Sequence, residues 1–527
     1  MKRTKREQLE IFYDEQVWDH QTLDEFIQEK VRQYPEKIAL IDREFEFTYQ
    51  EMYDEINHFA YKFYQDGIKP DDKVLIQLPN CFEFIFVLFA LFKIGAIPVL
   101  ALATHRKVEI KGVLEASGAV AYIAKDKYLG FSYSQLINEI EGELGCQINQ
   151  YILGNSKQYK NFYSANRNDY DYRYSEELIK PSYNNTALLL LSGGTTGIPK
   201  LIPRRHCDYI YVAKQCAQRC GLDEHSTYLV ALPIAHNFPL GCPGIIGTLA
   251  VGGTIVICSV TSPDEIFPLI DEQDITHLAL VPSLAKMCLD YQKDNDEDDI
   301  SSLKLIQVGG ALLDSFTAQK IEEQFECKLQ QVYGIAEGLI CMTDKQDGNE
   351  VTYHTQGTPI SEYDEIKILD DSGKEVQQGE YGELYVRGPY TIYNYEHAPH
   401  IKCVDDDMYF MTGDKVKQQP DGNFRVVGRI KEMINKSGEK ILPNELEDVI
   451  LGHPNVDEVK VIGVPDEVVG EKICVCIKED TNINLNELRN YLQQQGIANF
   501  KLPDLIKKVP VWPLTTFGKI DVNRLKE

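Results

Sequence analysis

Ala187-Leu-Leu-Leu-Leu191 runs directly into Ser192-Gly-Gly-Thr-Thr-Gly-Ile-Pro-Lys200, and that junction decides how the chain is read. A short continuous apolar run of this kind fits a buried strand. The glycines that follow, with two threonine hydroxyls and a lysine, give a backbone able to curl round an anion, donate several N–H bonds and set a positive charge beside it. A nucleotide phosphate is the expected ligand. Gly197 is followed by Ile-Pro-Lys rather than Lys-Ser/Thr, so the spacing is not that of a Walker P-loop, and taken alone the stretch reads equally as a turn after a buried strand.

Working outward, strand-like runs at Val74–Leu78, Tyr228–Leu232, Gly253–Cys258, His277–Val281 and Leu305–Val308 alternate with helical patterns. That rhythm predicts an α/β fold with largely parallel sheets. Asn155–Asn185, polar and without period, reads as a long surface loop. After Val386, short β-like runs with an Asp421-Gly422 turn predict a β-rich lobe. Beyond Gly428-Arg429 the character changes to helix Pro443–Leu451, strands Val459–Val464 and Ile473–Ile477, and helix Leu485–Gln495. We therefore expect a large N-terminal domain over 1–430 and a small, mobile α+β domain over 431–527.

Composition narrows the class. The 527 residues are too many for one core, and the net charge of −27 excludes a nucleic-acid partner. An anionic ligand must then be held by locally placed donors against the overall field. Phe82–Ala103 is the longest apolar stretch, but Lys93, Gly95 and Pro98 interrupt it, so a buried helix followed by a strand is expected and no membrane association. The N-terminus lacks an apolar signal core, and the cysteines are scattered, several in apolar runs such as Cys258, Cys474 and Cys476. These features predict a cytoplasmic protein with reduced thiols. Cys216-x-x-x-Cys220 lacks the second pair that zinc would require.

The phosphate loop becomes decisive with the motifs that follow it. These are Tyr333-Gly-Ile-Ala-Glu337, Tyr409-Phe-Met-Thr-Gly-Asp414, Gly428-Arg429 and Pro513-Leu-Thr-Thr-Phe-Gly-Lys519. In this order, over nearly the whole length, the set resembles the adenylate-forming superfamily of acyl-CoA synthetases, nonribosomal peptide adenylation domains and luciferases. The resemblance implies that a carboxylate attacks the α-phosphorus of ATP, and that a thiol then takes the acyl group. It implies that Ser192, Gly193, Gly194, Thr195, Thr196, Gly197 and Lys200 hold phosphate, and that Glu337 binds Mg²⁺. Gly309, Gly310, Ala311, Tyr333 and Gly334 would border the nucleotide, and Asp414 and Arg429 its ribose. Lys519 would bridge carboxylate and α-phosphate, and Lys431 would be the hinge of a large rotation that brings Lys436-Ser-Gly438 to the thiol tunnel. Two departures stand out: Ser437-Gly438 replaces the usual Gly-Gly, and Met411 replaces the usual arginine before Thr-Gly-Asp.

Leu232-Pro-Ile-Ala-His-Asn-Phe-Pro-Leu-Gly-Cys-Pro-Gly244 resembles the branch of free-standing ligases that load salicylate or 2,3-dihydroxybenzoate in siderophore synthesis. The branch implies that His236 closes over the carboxylate. Asn237 stands where amino-acid-activating relatives carry an aspartate, and an amide offers no charge to a substrate ammonium. Phe238 and Cys242 look like the salicylate type, as do Ile340 and Cys341. A thiol beside ring position 3 would leave a 3-hydroxyl unpaired. The expected activity is salicylate–AMP ligation and transfer to a phosphopantetheinylated aryl carrier protein supplied in trans, since eight residues follow Lys519 and no Gly-Gly-x-Ser motif occurs. 2,3-Dihydroxybenzoate, another ortho-hydroxy aryl acid, transfer to CoA, and a silent binding protein are the alternatives.

Overall fold

The computed structural model describes residues 3–145, 147–153, 160–161, 180–192, 200–295, 297–398, 400–436, 439–466, 469–515 and 519–526. A nine-stranded sheet carries the larger part of the N-terminal region. From one edge it runs Thr358–Pro359, Ile340–Met342, Lys328–Gly334, Leu305–Gly309, His277–Leu280, Thr227–Val230, Thr254–Ile257, Ile38–Asp42 and Phe45–Thr48. Its central strands are parallel and its edge pairings antiparallel. A seven-stranded sheet packs beside it, with Thr186–Leu191 between Ile97–Leu100 and Leu201–Arg205. The strands expected in these two sheets are all present, to within a residue or two at their ends.

Phe82–Ile94 is a helix whose aromatic and aliphatic side chains vanish into the main core, closed by Gly95 at φ 74°. The lysine of its last turn is satisfied: the Lys93 ammonium lies 3.5 Å from Asp24 Oδ2 and donates to Tyr53 Oη at 2.8 Å. Buried charges persist in cores only when paired in this way. Among the described residues no helix is long and apolar enough to cross a membrane.

The β-rich lobe is a four-stranded antiparallel sheet, Glu365–Leu369, Tyr381–Arg387, Phe410–Gln418 and Phe424–Arg429. It begins earlier than Val386, where the sequence places its start. The first strand, Glu-Ile-Lys-Ile-Leu, has a single fully buried position and so carries little hydrophobic alternation. Of Asn155–Asn185, expected to be loop throughout, Lys160–Asn161 pairs as a short parallel edge strand beside Asn149–Leu153, residues 180–185 are described, and the rest lies outside the described residues. The last sheet, from Ile434 onward, has five strands and its own core of Ile434, Ile441, Leu446, Ile450, Val461, Ile473, Val475 and Leu488. Leu505–Val509 joins it parallel to Gly470–Lys478, an unanticipated strand. The fold is thus a large N-terminal α/β body with a smaller α+β C-terminal domain.

The functional motifs gather at the carboxyl ends of the nine-stranded sheet. Thr227–Val230 has Thr254–Ile257 on one side and His277–Leu280 on the other, so the strand order reverses there. In open α/β sheets that crevice is where ligands bind.

Candidate active site

The Ser192 to Lys200 stretch falls between the two strands of an antiparallel pair. Thr186–Leu191 and Leu201–Arg205 pair along their length. The stem is closed by Ser192 N donating to Lys200 O and Lys200 N donating to Ser192 Oγ, both at 3.0 Å. Gly193, Gly194, Thr195, Thr196 and Gly197 lie outside the described residues. Lys200 projects over the ring of Tyr395, its Nζ 4.6 Å from the centroid. The same tyrosine donates its hydroxyl to Glu337 Oε1 at 2.9 Å. Tyr395 therefore holds together the Lys200 cation and the Glu337 carboxylate. One oxygen of Glu337 is thus engaged by Tyr395.

Arg204 sets the distance between these parts. Its side chain is 2% exposed, Nη1 donates to Ala336 O at 3.0 Å, and Nε stands 3.4 Å from Asp208 Oδ1. The hairpin is thereby tied to the backbone beside Glu337. Neither Arg204 nor Tyr395 carries a motif that sequence reading could seize.

A second wall is built from strand ends. Gly309 ends its strand so close to its neighbours that an added Cβ would meet Val332 O at 2.8 Å and Phe238 Cε1 at 3.2 Å. Gly310 follows at φ 82°, and Ala311 is exposed. Only glycine leaves this floor flat. Across from it, Asp414 is 3% exposed on its strand. Tyr333 Oη donates to its Oδ2 at 2.6 Å, and Arg429 Nε reaches Oδ1 at 3.0 Å from the opposite register position. Burial pushes the Asp414 carboxyl up, while Arg429, Tyr333 and Lys519 pull it down. Met411 lies on the same strand, opposite Tyr385.

Lys519 enters from the C-terminal domain. Its turn is held by Thr515 N donating to Lys519 O at 2.6 Å and by Lys519 N donating to Thr515 Oγ1 at 3.2 Å. The Cε lies 3.8 Å from where a Cβ on Gly310 would stand. The side chain is in the open cleft, yet enough protein surrounds it that desolvation, then Arg429, lowers its pKa, against Asp414 and Glu432. Lys431 falls in the short 3₁₀ turn Ile430–Glu432 that links the β-lobe to the last sheet.

The third wall follows the strand Thr227–Val230. Asn80 clamps this exit: Nδ2 donates to the carbonyls of Val230, Leu232 and Cys258, and Oδ1 accepts from Ile234 N. His236 then caps the short helix Asn237–Gly241, its Nδ1 accepting from Phe238 N at 3.2 Å. The ring proton is thus on Nε2. Burial, with Lys519 nearby, pulls the imidazole down to about 4, so His236 is a neutral donor at physiological pH. Asn237 Nδ2 donates to Cys242 Sγ at 3.4 Å, and Tyr209 Oη donates to Asn237 Oδ1 at 2.9 Å. Cys242 is 3% exposed and touches the Cys216 thiol. Ile340 packs on Gly334, its Cγ1 3.2 Å from a Cβ placed there. Cys341, one residue on, is wholly buried, its thiol pushed up by burial and by Asp364.

A glycine floor, the buried Asp414 carboxylate and a lysine from near the C-terminus thus come together, a setting that suits an anionic ligand. Residues 27–395 match the AMP-binding enzyme family, and residues 445–519 match the AMP-binding enzyme C-terminal domain. The chain belongs to the AMP-binding enzyme family, whose members use ATP.

Within it, the chain is 38% identical to the 2,3-dihydroxybenzoate-AMP ligase of Bacillus subtilis, over 97% of this chain and 94% of that one. It is 37% identical to the salicyl-AMP ligase/salicyl-S-ArCP synthetase of Mycobacterium tuberculosis, over 96% and 90%. The apo structure of MbtA from Mycobacterium smegmatis superposes with a TM-score of 0.75 at 37% identity, covering 99% of this chain and 97% of that one.

Proposed function

We propose that this enzyme joins salicylate to ATP, forming salicyl-AMP and pyrophosphate, and passes the acyl group to the phosphopantetheine thiol of a separate aryl carrier protein for siderophore-type nonribosomal peptide synthesis. The aryl-acid class is supported by relatives named as ligases of such acids, matched over nearly their whole length. Identity of 38% to one and 37% to the other does not separate the two acids. The pocket must do so. The observation that carries salicylate is the Asn237–Cys242 pair: the thiol is buried, already accepts an amide N–H, and presses on Cys216. A 3-hydroxyl placed there would find a bulky, weak acceptor already in use, and an unpaired buried hydroxyl is costly.

In this reading a carboxylate oxygen attacks the α-phosphorus, the bond to the β-phosphate bridging oxygen breaks, and pyrophosphate leaves. Lys519 offsets the charge of the two approaching anions, and His236 donates from Nε2 toward the carboxylate. Asp414 and Arg429 hold the ribose beside Gly309, Gly310, Ala311, Tyr333 and Gly334. Ser192, Gly193, Gly194, Thr195, Thr196, Gly197 and Lys200 hold the departing phosphates, and Glu337 would hold a Mg²⁺ ion, whose charge would offset theirs. Phe238, Ile340 and Cys341 complete the aryl pocket with Asn237 and Cys242. We place the domain boundary between 430 and 431, with Lys431 as the hinge for the thiol step, in which sulfur attacks the acyl carbonyl and AMP leaves. A cytoplasmic setting accords with the described cysteines, all of them buried free thiols.

Pyrophosphate exchange with salicylate, 2,3-dihydroxybenzoate and an amino-acid panel tests the reading. Salicylate should give the highest kcat/KM, and a clear preference for dihydroxybenzoate would sink it. Cys242→Ser should raise the dihydroxybenzoate-to-salicylate ratio of kcat/KM about tenfold, the worth of one satisfied hydroxyl.

A further inference from the structure

Asn237 can face an ortho substituent with either end of its amide, and the two ends demand opposite chemistry. The oxygen would accept from an amine, whereas the nitrogen would donate to a hydroxyl oxygen. What chooses between them lies behind the pocket.

Tyr209 sits on the helix His206–Cys220 and is wholly buried. Its ring packs against the backbone of Gly241, in the same turn as Asn237, and Arg204 lies over it. Its hydroxyl has one hydrogen-bond partner among the described residues, Asn237 Oδ1 at 2.9 Å. A buried hydroxyl must donate somewhere. Were the amide turned over, Tyr209 would face an N–H and its own hydrogen would be stranded. The amide is therefore locked with Oδ1 toward Tyr209, and of the two Nδ2 hydrogens one goes to Cys242 while the second has no hydrogen-bond partner among the described residues on a side chain that is partly exposed.

We infer that Tyr209 is a positioning residue for substrate choice: by holding Oδ1 of Asn237 it presents an N–H to the aryl acid's ortho position, selecting an ortho oxygen and rejecting an ortho amine. The inference rests on the aryl-acid reading above. Salicylate's 2-hydroxyl points its hydrogen at its own carboxylate and leaves oxygen lone pairs for Asn237. The amine of 2-aminobenzoate has its lone pair drawn into the ring and turns an N–H toward the pocket, donor against donor.

The test is pyrophosphate exchange with salicylate and with 2-aminobenzoate. Wild type should prefer salicylate strongly, and Tyr209→Phe should cut that preference about tenfold or more, through a higher KM for salicylate and a gain for the amine. Asn237→Asp keeps an acceptor for Tyr209 but has no N–H to present, so it should move the ratio the same way even if the tyrosine variant folds poorly. Tyr228→Phe removes a buried hydroxyl that has no hydrogen-bond partner among the described residues and should leave the ratio unchanged. Parallel loss of both acids in Tyr209→Phe, or an unaltered ratio in Asn237→Asp, overturns the inference. Wild type that exchanges with neither acid overturns the underlying reading instead.

Discussion

Lys519→Ala is expected to lower salicylate-dependent pyrophosphate exchange at least about a hundredfold, the cost of removing a charge aimed at a transition state. Transfer from pre-formed salicyl-AMP to a carrier thiol should stay within severalfold. The reason is geometric. Lys519 comes from the C-terminal domain, and its stem stands over Gly310, close to Asp414 and Arg429. A rotation about Lys431 would carry it off before the thiol step. Equal loss in both half-reactions would refute the rotating-domain assignment.

The same residue gives a pH signature. Desolvation and Arg429 lower the Lys519 pKa, and only the charged form can offset two anions. Exchange should therefore fall as pH rises through that lowered value, earlier than an ordinary lysine near 10.4 would dictate. Lys519→Arg should move the alkaline limb upward while reducing the plateau, because a planar guanidinium cannot reproduce the reach of an ammonium.

Much of this site was legible because its parts are local. A glycine-rich turn after an apolar strand, His236-Asn237 in a Pro-rich exit and a lysine near the C-terminus each show themselves within a dozen residues. What escaped is the support behind them. Tyr209 lies in a helix whose pattern reports only that one face is buried, and the partner of its hydroxyl is 28 positions away. Asn80 clamps carbonyls at Val230, Leu232 and Cys258, and Arg204 reaches Ala336, contacts with no sequence spacing to betray them. The strand Leu505–Val509 was missed for another reason: Leu-Ile-Lys-Lys-Val buries only its final residue fully, so its pairing rests on the backbone.

Asp414→Ala should reduce kcat/KM for ATP by at least about a hundredfold, since two hydrogen bonds to a buried carboxylate are worth roughly 1.5–3 kcal/mol each. The readout specific to a ribose role is discrimination against 2′-deoxy-ATP. Wild type should show it, and the variant should lose most of it, because the acceptor for the 2′-hydroxyl is gone. An undiminished preference for ATP in the variant would refute the role. Part of the loss will be structural, as the alanine strands Tyr333 Oη and the Arg429 guanidinium. Asp414→Asn, which keeps the shape and one acceptor, separates the two: it should retain the wild-type melting temperature more closely than the alanine while still weakening ATP.

The contrast with Lys519 is the sharper test of how the enzyme is divided. Asp414 and Arg429 face each other across two strands of the large domain, and Arg429 precedes the proposed hinge. A rotation beyond Lys431 leaves that pair in place, and salicyl-AMP keeps its ribose through the second half-reaction. Asp414→Ala should therefore impair both adenylation and thiol transfer, whereas Lys519→Ala impairs the first alone.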